Sequence, residues 1–318
     1  MGDHDPDEGT VDVAEAIGLL GDAQRLGILV AVADPTRGEK SPWEPMSFTE
    51  LYEAADVDST SGFAYHLEKL VGPYLTETSE GYRLTYNGAR IVRTIRSGRF
   101  EATPAFDDER ITGTCAFCAS SPLVATLEDE LFVVRCPSCS ATLVTDYFPR
   151  SQSVGRTPSA IVESFGHRIW SSVIAVRGGV CPECFGRVES HVEPVYPVDT
   201  PEGAGSVGTP DEDGSEGATE GDESLYWTHI SACRTCWFEI SFPVEVIAAF
   251  HPAAIGYCYA QGVLLWDVPL WAFFEYLTTG AIQTDMIATD PMTLGFEFRF
   301  GDTPLCLEMD ETLSVTVQ

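Results

Sequence analysis

Eight cysteines, arranged as four C-x2-C pairs, constrain the fold of this chain more than any other feature of its 318 residues. Two such pairs together offer four thiolates, the set of ligands that binds a structural zinc ion in a tetrahedron. The sequence therefore predicts two structural zinc ions per chain, with iron in a similar centre as the alternative. The predicted ligands are Cys115, Cys118, Cys136 and Cys139 for the first ion, and Cys181, Cys184, Cys233 and Cys236 for the second.

The first two cysteine pairs enclose 17 residues, a separation that is typical of a zinc site. Between them, the run PLVATLEDELFVVRC contains two apolar stretches that meet at Glu128 and Asp129. This pattern predicts a β-hairpin, which would bring the two pairs together. We expect a first zinc ribbon over residues 110–150.

The last two pairs lie 48 residues apart, but much of that separation has an unusual composition. Residues 196–224 contain nine acidic residues, six glycines and no lysine or arginine. Such a segment cannot bury enough apolar surface to fold, and closing a longer loop costs little more than closing a short one. We therefore predict a second zinc ribbon within residues 179–318, with residues 196–224 as a disordered acidic insert.

The cellular compartment bears on the chemistry of the cysteines. No apolar run approaches the length of about 20 residues that spans a bilayer, and the acidic start of the chain lacks the features of a signal peptide. These observations predict a cytoplasmic protein without a membrane partner. A reducing cytoplasm favours metal binding over disulfides. We expect Cys258 and Cys306, which have apolar neighbours in sequence, to be buried.

The chain is strongly acidic, with 49 Asp and Glu against 18 Lys and Arg and a formal net charge of −31. Only Lys40 and Lys69 are lysines. This composition resembles that of proteins from salt-loving archaea, because the carboxylates are spread along the chain. Net charge bears on solubility and association, not on the fold. Residues 1–12 are predicted to be a disordered acidic terminus.

Residues 13–100 show the pattern of a winged helix-turn-helix DNA-binding domain. The run VAEAIGLLGDAQRLGILVAVAD is helical in its periodicity, with a break near Gly21, and SFTELYEAAD opens with a capping box formed by Ser47 and Glu50. A third helix follows in STSGFAYHLEKL, and then YLTETSEGYRLTYNG reads as strand, turn and strand before a further helix. In this plan the third helix enters the major groove.

The run SFTELYEAADVDSTSGFAYHLEKLVGPYLTETSEGYRLTYNGARIV resembles the ArsR-like winged helices of haloarchaeal transcription regulators, in which such a domain precedes cysteine-rich ribbons. The segments YHLEKL and EGYRLTYNG carry the resemblance. It implies a DNA-binding transcription regulator. The metal-sensing cysteine that the family has on its recognition helix is absent, so metal sensing by that route does not carry over.

Basic residues cluster in one part of this region. Residues 81–100 contain five arginines and no acidic residue. Arginine pairs well with phosphate oxygens, whereas base edges are read by residues of the groove-binding helix. The predicted DNA-binding residues are Thr60, Ser61, Tyr65, His66 and Lys69 on the helix, and Arg83, Arg90, Arg93 and Arg96 on the wing and the helix that follows it. The alternative is that the arginines balance acidic groups elsewhere in the fold or in a dimer partner.

The remaining segments predict further helices and strands. Residues 157–178 are expected to form a connecting helix, whose apolar stripe would serve a core or a dimer face. The run DVPLWAFFEYL predicts a helix capped by Asp267, and the last segments predict an antiparallel meander. Trp237, Trp266 and Trp271 are expected to be core residues, with the lining of a ligand pocket as the alternative. The fold class is therefore α+β: an N-terminal winged helix-turn-helix, then two four-cysteine zinc ribbons with added helices and an antiparallel β-meander.

The sequence favours a DNA-binding transcription regulator, with the ribbons serving dimerisation, effector response or protein contacts. Its expected partners are double-stranded DNA and, as hypotheses, a second copy of the chain and the transcription machinery. An alternative is a general transcription or protein-interaction factor similar to archaeal transcription factor E, with little sequence specificity. An enzyme is not expected, because no phosphate loop, nucleophile motif or dinucleotide fingerprint is present.

Overall fold

The computed structural model describes residues 6–33, 44–55, 57, 59–101, 104–195 and 226–318. The chain divides into two compact units, Met1–Ala102 and Thr103–Gln318, and each has its own hydrophobic core. The predicted acidic insert at 196–224 lies outside the described residues, as do residues 1–5. Among the helices of the described segments, none is both long and apolar enough to cross a membrane.

The first unit contains helices around one β-hairpin. Its described helices are α1 (Pro6–Leu19), α2 (Ala23–Val32), α3 (Phe48–Ala54), α4 (Thr60–Leu70) and α5 (Tyr86–Arg96), and its hairpin strands are β1 (Leu75–Thr78) and β2 (Gly81–Leu84). The helix α1 begins at Pro6, inside the segment predicted to be disordered, because proline suits the first position of a helix. The predicted break near Gly21 is confirmed: Asp22 caps α2 by accepting from the backbone N–H groups of Gln24 and Arg25.

Local sequence explains the ends of these helices. The predicted capping box is confirmed at the start of α3, where Ser47 and Glu50 each accept from the other's backbone N–H. The turn before α4 ends at Ser59, whose hydroxyl accepts from the N–H of Gly62. The apolar stripe of α4 is buried in the core of the unit through Phe63, Leu67 and Leu70.

The hairpin is held against the segment before α3. Met46 and Tyr82 form a backbone bridge in which each N–H donates to the other's carbonyl, at 2.9 and 2.7 Å. Gly81 has a φ of +130°, and a Cβ there would lie 2.0 Å from the carbonyl oxygen of Met46. Only glycine fits this close approach.

The described residues of the second unit form three antiparallel sheets, which follow one another along the chain. The first sheet consists of β3 (Phe106–Ile111), β4 (Leu123–Glu128), β5 (Leu131–Arg135) and β6 (Thr142–Tyr147). The second consists of β7 (Val188–Val195), β8 (Tyr226–Cys233) and β9 (Glu239–Pro243), and the third of β10 (Ile282–Thr289), β11 (Met292–Phe298), β12 (Leu305–Asp310) and β13 (Val315–Val317). The described chain is therefore of mixed α+β class.

One hydrophobic core joins the three sheets, with members from Ile111 to Met309. The helices of this unit are α6 (Arg150–Ser153), α7 (Pro158–Arg177), α8 (Glu245–Ala249), α9 (Pro252–Ala260) and α10 (Leu270–Thr278). The ring of Phe165 on α7 lies 4.0 Å from that of Phe132 and 6.4 Å from that of Trp271, between centroids. The segments that we predicted one by one therefore pack as a single body.

The helix α7 occupies the stretch predicted as a connecting helix. Its apolar stripe of Ile161, Phe165, Ile169 and Val173 is buried in the core of its own unit. The stripe therefore serves the core and gives no basis for a dimer face.

Other expectations differ from the structure. The helix α10 begins after Pro269, without a side-chain cap, so the predicted cap at Asp267 is wrong. Trp271 is buried as expected, but Trp237 is 84% exposed. Cys258 is buried, whereas Cys306 is exposed because it alternates with buried Leu307 along β12.

Candidate metal centres and candidate nucleic-acid surface

The predicted cysteine sets form two clusters. In each set, the four Sγ atoms lie within 4.8 Å of one another. The distance between Sγ atoms is 3.6 Å for Cys115 and Cys139, and 3.5 Å for Cys181 and Cys236. These distances far exceed a disulfide bond of about 2.05 Å. They are close to the separation of about 3.8 Å that four sulfurs adopt around a tetrahedral zinc ion.

Each cysteine pair is held by the same backbone turn. In the first, the N–H of Ala119 donates to the carbonyl of Cys115, whose own N–H donates to the carbonyl of Ser120. The same two bonds recur in the other three pairs. The residue after the second cysteine has a left-handed φ every time, between 55° and 63°; these residues are Ala119, Ser140, Phe185 and Trp237.

This left-handed position is costly for residues other than glycine, at about 1–2 kcal/mol each. Four such residues at equivalent positions indicate that the turn is maintained by a metal ion that the cysteines would bind. Sequence reasoning missed this feature, because alanine, serine, phenylalanine and tryptophan carry no preference for that conformation.

In each cluster, one cysteine has a lowered pKa, Cys118 in the first and Cys233 in the second, whereas the pKa of Cys115, Cys139, Cys184 and Cys236 is raised. Backbone N–H groups of Phe117, Ser138 and Gly186 lie 3.4 Å from cysteine sulfurs and donate to them. A hydrogen bond from Ser120 lowers the pKa of Cys118 to about 6, whereas burial raises the pKa of Cys115 to about 12. The Cys118 thiol ionises readily at neutral pH, so it can be the first ligand of the first cluster to bind a metal ion. Four thiolates are enough to complete a tetrahedral coordination sphere without an open position, so both clusters fit a structural metal ion.

Residues 112–315 match the model of a family described as Domain of unknown function (DUF7351). The chain belongs to the DUF7351 family. The matched DUF7351 region contains all eight clustered cysteines. Residues 13–95 match a second model, Domain of unknown function (DUF7347). No curated protein and no solved structure matches the chain.

The elements of the DUF7351 region explain how each cluster is assembled. The hairpin of β4 and β5 brings the loop that carries Cys115 beside Cys136, as its spacing predicted. In the second cluster, Cys233 is the last residue of β8 and pairs in register with Val188 of β7. The ring of Phe117, inside the first cysteine pair, lies 5.8 Å from the ring of Tyr226 on β8. The first cysteine pair therefore contacts the second sheet at the end of β8 opposite to Cys233.

The predicted base-reading residues lie on α4, outside the DUF7351 region. Most of them are exposed: Thr60, Ser61, Tyr65 and Lys69. The Nζ of Lys69 lies 5.9 Å from the ring centroid of Tyr65. His66 differs, since its side chain is only 14% exposed and its Nδ1 lies 3.8 Å from a carboxylate oxygen of Asp22. The structure therefore turns His66 towards the start of α2 instead of outwards.

The arginines between residues 81 and 100 are all exposed. Arg83 lies on β2, and Arg96 on α5 donates to the carbonyl oxygen of Val30 at 3.2 Å. Arg90 and Arg93 have interaction partners within the chain. In the described part of the chain, no ion pair joins Arg83, Arg96 or Arg99 to a carboxylate. The alternative interpretation requires an acidic partner for each arginine, and at these three positions the described residues provide none.

Proposed function

We propose that this chain is a DNA-binding transcription regulator, with a winged helix-turn-helix in its first unit and a structural zinc ion in each four-cysteine cluster. One observation carries the proposal: residues 81–100 present exposed arginines without a single acidic residue, in a chain of net charge −31. A cationic segment in so acidic a chain is what a phosphate backbone would bind.

The order of elements supports the same assignment. The helices α3 and α4 would form the helix-turn-helix pair, β1 and β2 the wing, and α2 and α5 the supporting helices. The 11 residues of α4 correspond to a helix of about 16 Å, which suits a major groove about 12 Å wide. Its buried stripe leaves Ser61, Tyr65 and Lys69 on the exposed surface.

The exposed groups divide into two roles. Arg83 and Arg96 would contact phosphates and set the position of the protein on the duplex, without reading sequence. Ser61 and Lys69 would reach base edges, since hydroxyl and ammonium groups match acceptors in the major groove. In concentrated salt the Debye length is only about 3 Å, so the acidic remainder of the surface would hardly repel an approaching duplex. Regulation would follow from occupancy of a promoter site.

Binding to genomic fragments in concentrated KCl tests the proposal. The double variant Arg83→Gln, Arg96→Gln should weaken binding to all bound fragments alike and reduce the salt dependence by about one unit per lost phosphate contact. Lys69→Gln should instead change which fragments are retained. Arg110→Gln, the same charge change on β3 of the second unit, serves as the control. Parent-like binding by the double variant would overturn the proposal.

A second candidate, a general transcription or protein-interaction factor, is favoured by one observation. Phe185 and Trp237, which follow the second cysteine of each pair in the second cluster, are 59% and 84% exposed. Exposed aromatic side chains are typical of protein contact sites. This candidate predicts retention of all DNA fragments alike, together with loss of a protein contact in Trp237→Ser. The regulator predicts selective retention.

A further inference from the structure

An open cavity of about 700 Å³ lies in the second unit. It lies between the C-terminal end of α7, the start of β7 and the turn between β12 and β13. A volume of this size is in the range that holds a small organic molecule. All its walls belong to the same unit, so the cavity needs no contribution from the first one.

Two arginines give the cavity a cationic side. Arg177, at the end of α7, and Arg187, just before β7, both line it. Within the described segments, neither guanidinium group has a carboxylate at ion-pair distance. Of the two acidic side chains in the wall, Glu189 is held by Arg234 at 2.8 Å, and Glu311 is exposed. Arg177 packs over the ring of Phe250, 5.6 Å from its centroid. The pKa of Glu189 is lowered first by Arg234 and further by the charge of Arg187. Neither contact is an ion pair of Arg177 or Arg187, so both guanidinium groups can still pair with an anionic ligand.

Two polar side chains of the wall, His229 and Ser190, are joined through Ser231, which does not itself line the cavity. His229 is 2% exposed, and its Nε2 lies 2.8 Å from the hydroxyl of Ser231, which lies 2.7 Å from the hydroxyl of Ser190. The Nδ1 of His229 has no hydrogen-bond partner in the part of the chain that the structure describes. An unpaired buried polar atom costs about 1–3 kcal/mol, and this cost remains although the His229 ring stacks on that of Phe242, at 4.8 Å between centroids. A bound ligand would supply polar partners to these side chains.

Apart from Thr312 and His251, the rest of the wall consists mainly of apolar side chains, which include Val188, Ile247 and Leu313. Apolar walls with a few convergent polar groups are typical of sites for small organic molecules. The geometry points to a binding site for a small organic anion, with its carboxylate or phosphate at Arg177 and Arg187 and its apolar part against these side chains. Sequence analysis could not find the site, because its residues are scattered from 176 to 315 and share no motif.

The site goes beyond the proposed function, since it does not depend on DNA binding by the first unit. If that function holds, the ligand would be an effector that is sensed by the DUF7351 region. Carboxylate and phosphate ligands share the chemistry that the arginines recognise, so the experiment must distinguish them.

Titration calorimetry on the full, metal-loaded chain in concentrated KCl provides the test, with phenylacetate and phenyl phosphate as probes and neutral phenylacetamide as their matched control. We expect one binding site per chain for at least one of the anions and at least about tenfold weaker binding of the amide. The better anion reports whether a carboxylate or a phosphate is preferred.

Variants locate the site. Arg177→Gln and Arg187→Gln should each weaken binding of the anion about tenfold or more, and Arg110→Gln, which does not line the cavity, should bind as the parent does. Metal content and thermal unfolding show whether each variant is folded. Hydrogen exchange of the parent chain gives a second measurement, with protection expected at residues 187–190 and 311–315. Absence of binding by both anions, equal binding of the amide, or protection elsewhere would overturn the inference.

Discussion

Glu245 is a carboxylic acid in the core of the second unit. It is 4% exposed; its Oε1 accepts from the hydroxyl of Thr284 at 2.6 Å, and its Oε2 has no partner among the described residues. Burial raises the pKa of Glu245 to about 6 from its ordinary 4.5. The charged carboxylate is therefore a source of instability at neutral pH, and burial together with this charge raises the pKa of Tyr226 to about 12.

The substitution Glu245→Gln should stabilise the chain at neutral pH. Below pH 4.5 the carboxyl is protonated in both the folded and the unfolded chain. Between pH 4.5 and about 6 the folded chain holds a proton that the unfolded chain has lost, so the free energy of unfolding falls as the pH rises. The variant should gain about 2 kcal/mol above pH 6 and nothing below 4.5. Chemical denaturation across this pH range measures the gain, with the exposed Glu239→Gln as the control.

A gain of the same size at every pH would contradict this interpretation of Glu245.

His229 changes the stability with pH in the opposite direction to Glu245. Burial lowers the pKa of His229 to about 4 from 6.5, so its contribution to stability is lost as the pH falls from 6.5 towards 4. The two buried groups therefore oppose each other between pH 4.5 and 6. Only variants of one group at a time can separate their effects.

The turn that holds each cysteine pair depends on one left-handed residue. Ala119, with a φ of 55°, is the smallest of the four and allows a matched test. Ala119→Gly should keep the metal and stabilise the second unit by about 1 kcal/mol, because glycine adopts this φ without strain. Ala119→Val should release its bound metal to a chelating dye at lower dye concentration than the parent, since a β-branched residue resists the conformation. Equal release from the two variants would show that the turn does not govern metal retention.

At the level of elements, local patterns predicted much of this structure. The capping box at Ser47, the break before α2 and the hairpin inside the first cluster each follow from residues that are close in sequence. Four strands, β3, β6, β9 and β10, were not predicted; the sequence of β3, FDDERI, has apolar residues only at its two ends, so it lacks the alternation that indicates a strand. The shared core, the cavity and the burial of Glu245 could not be predicted, because they depend on residues that meet only in the folded chain.

Each four-cysteine cluster should behave as one unit of metal binding. Cys118→Ser should lower the metal content from two ions to one after dialysis against a chelator, because three thiolates bind a structural ion far more weakly than four. Cys306→Ser is the matched control, since this cysteine is also exposed but lies outside both clusters. Elemental analysis counts and identifies the ions. Two ions in the Cys118 variant would contradict the assignment of its thiolate as a ligand.

At the scale of the whole molecule, the two units should respond differently to metal removal. Both clusters lie in the second unit, and each unit has its own core. Chelation should therefore unfold the second unit and leave the helices of the first. Five of the six tryptophans lie after residue 103, so tryptophan emission reports mainly on the second unit. We expect a red shift of that emission on chelation, with helical circular dichroism partly retained. Complete loss of the helical signal would contradict independent cores.

The net charge of −31 should make folding and DNA binding respond to salt in opposite directions. Self-repulsion destabilises a compact acidic chain, and screening relieves it, so the unfolding temperature should rise with KCl. Phosphate contacts release counterions, so affinity for DNA should fall over the same range. Arg83→Gln should make the affinity for DNA less dependent on KCl and leave the dependence of the unfolding temperature nearly unchanged. The chain has 67 ionised side chains, 49 acidic and 18 basic, so the loss of one charge alters self-repulsion little. Calorimetry and fluorescence anisotropy in one KCl series measure both slopes. A parallel change of the two slopes in the variant would mean that Arg83 acts through the fold and does not contact phosphate.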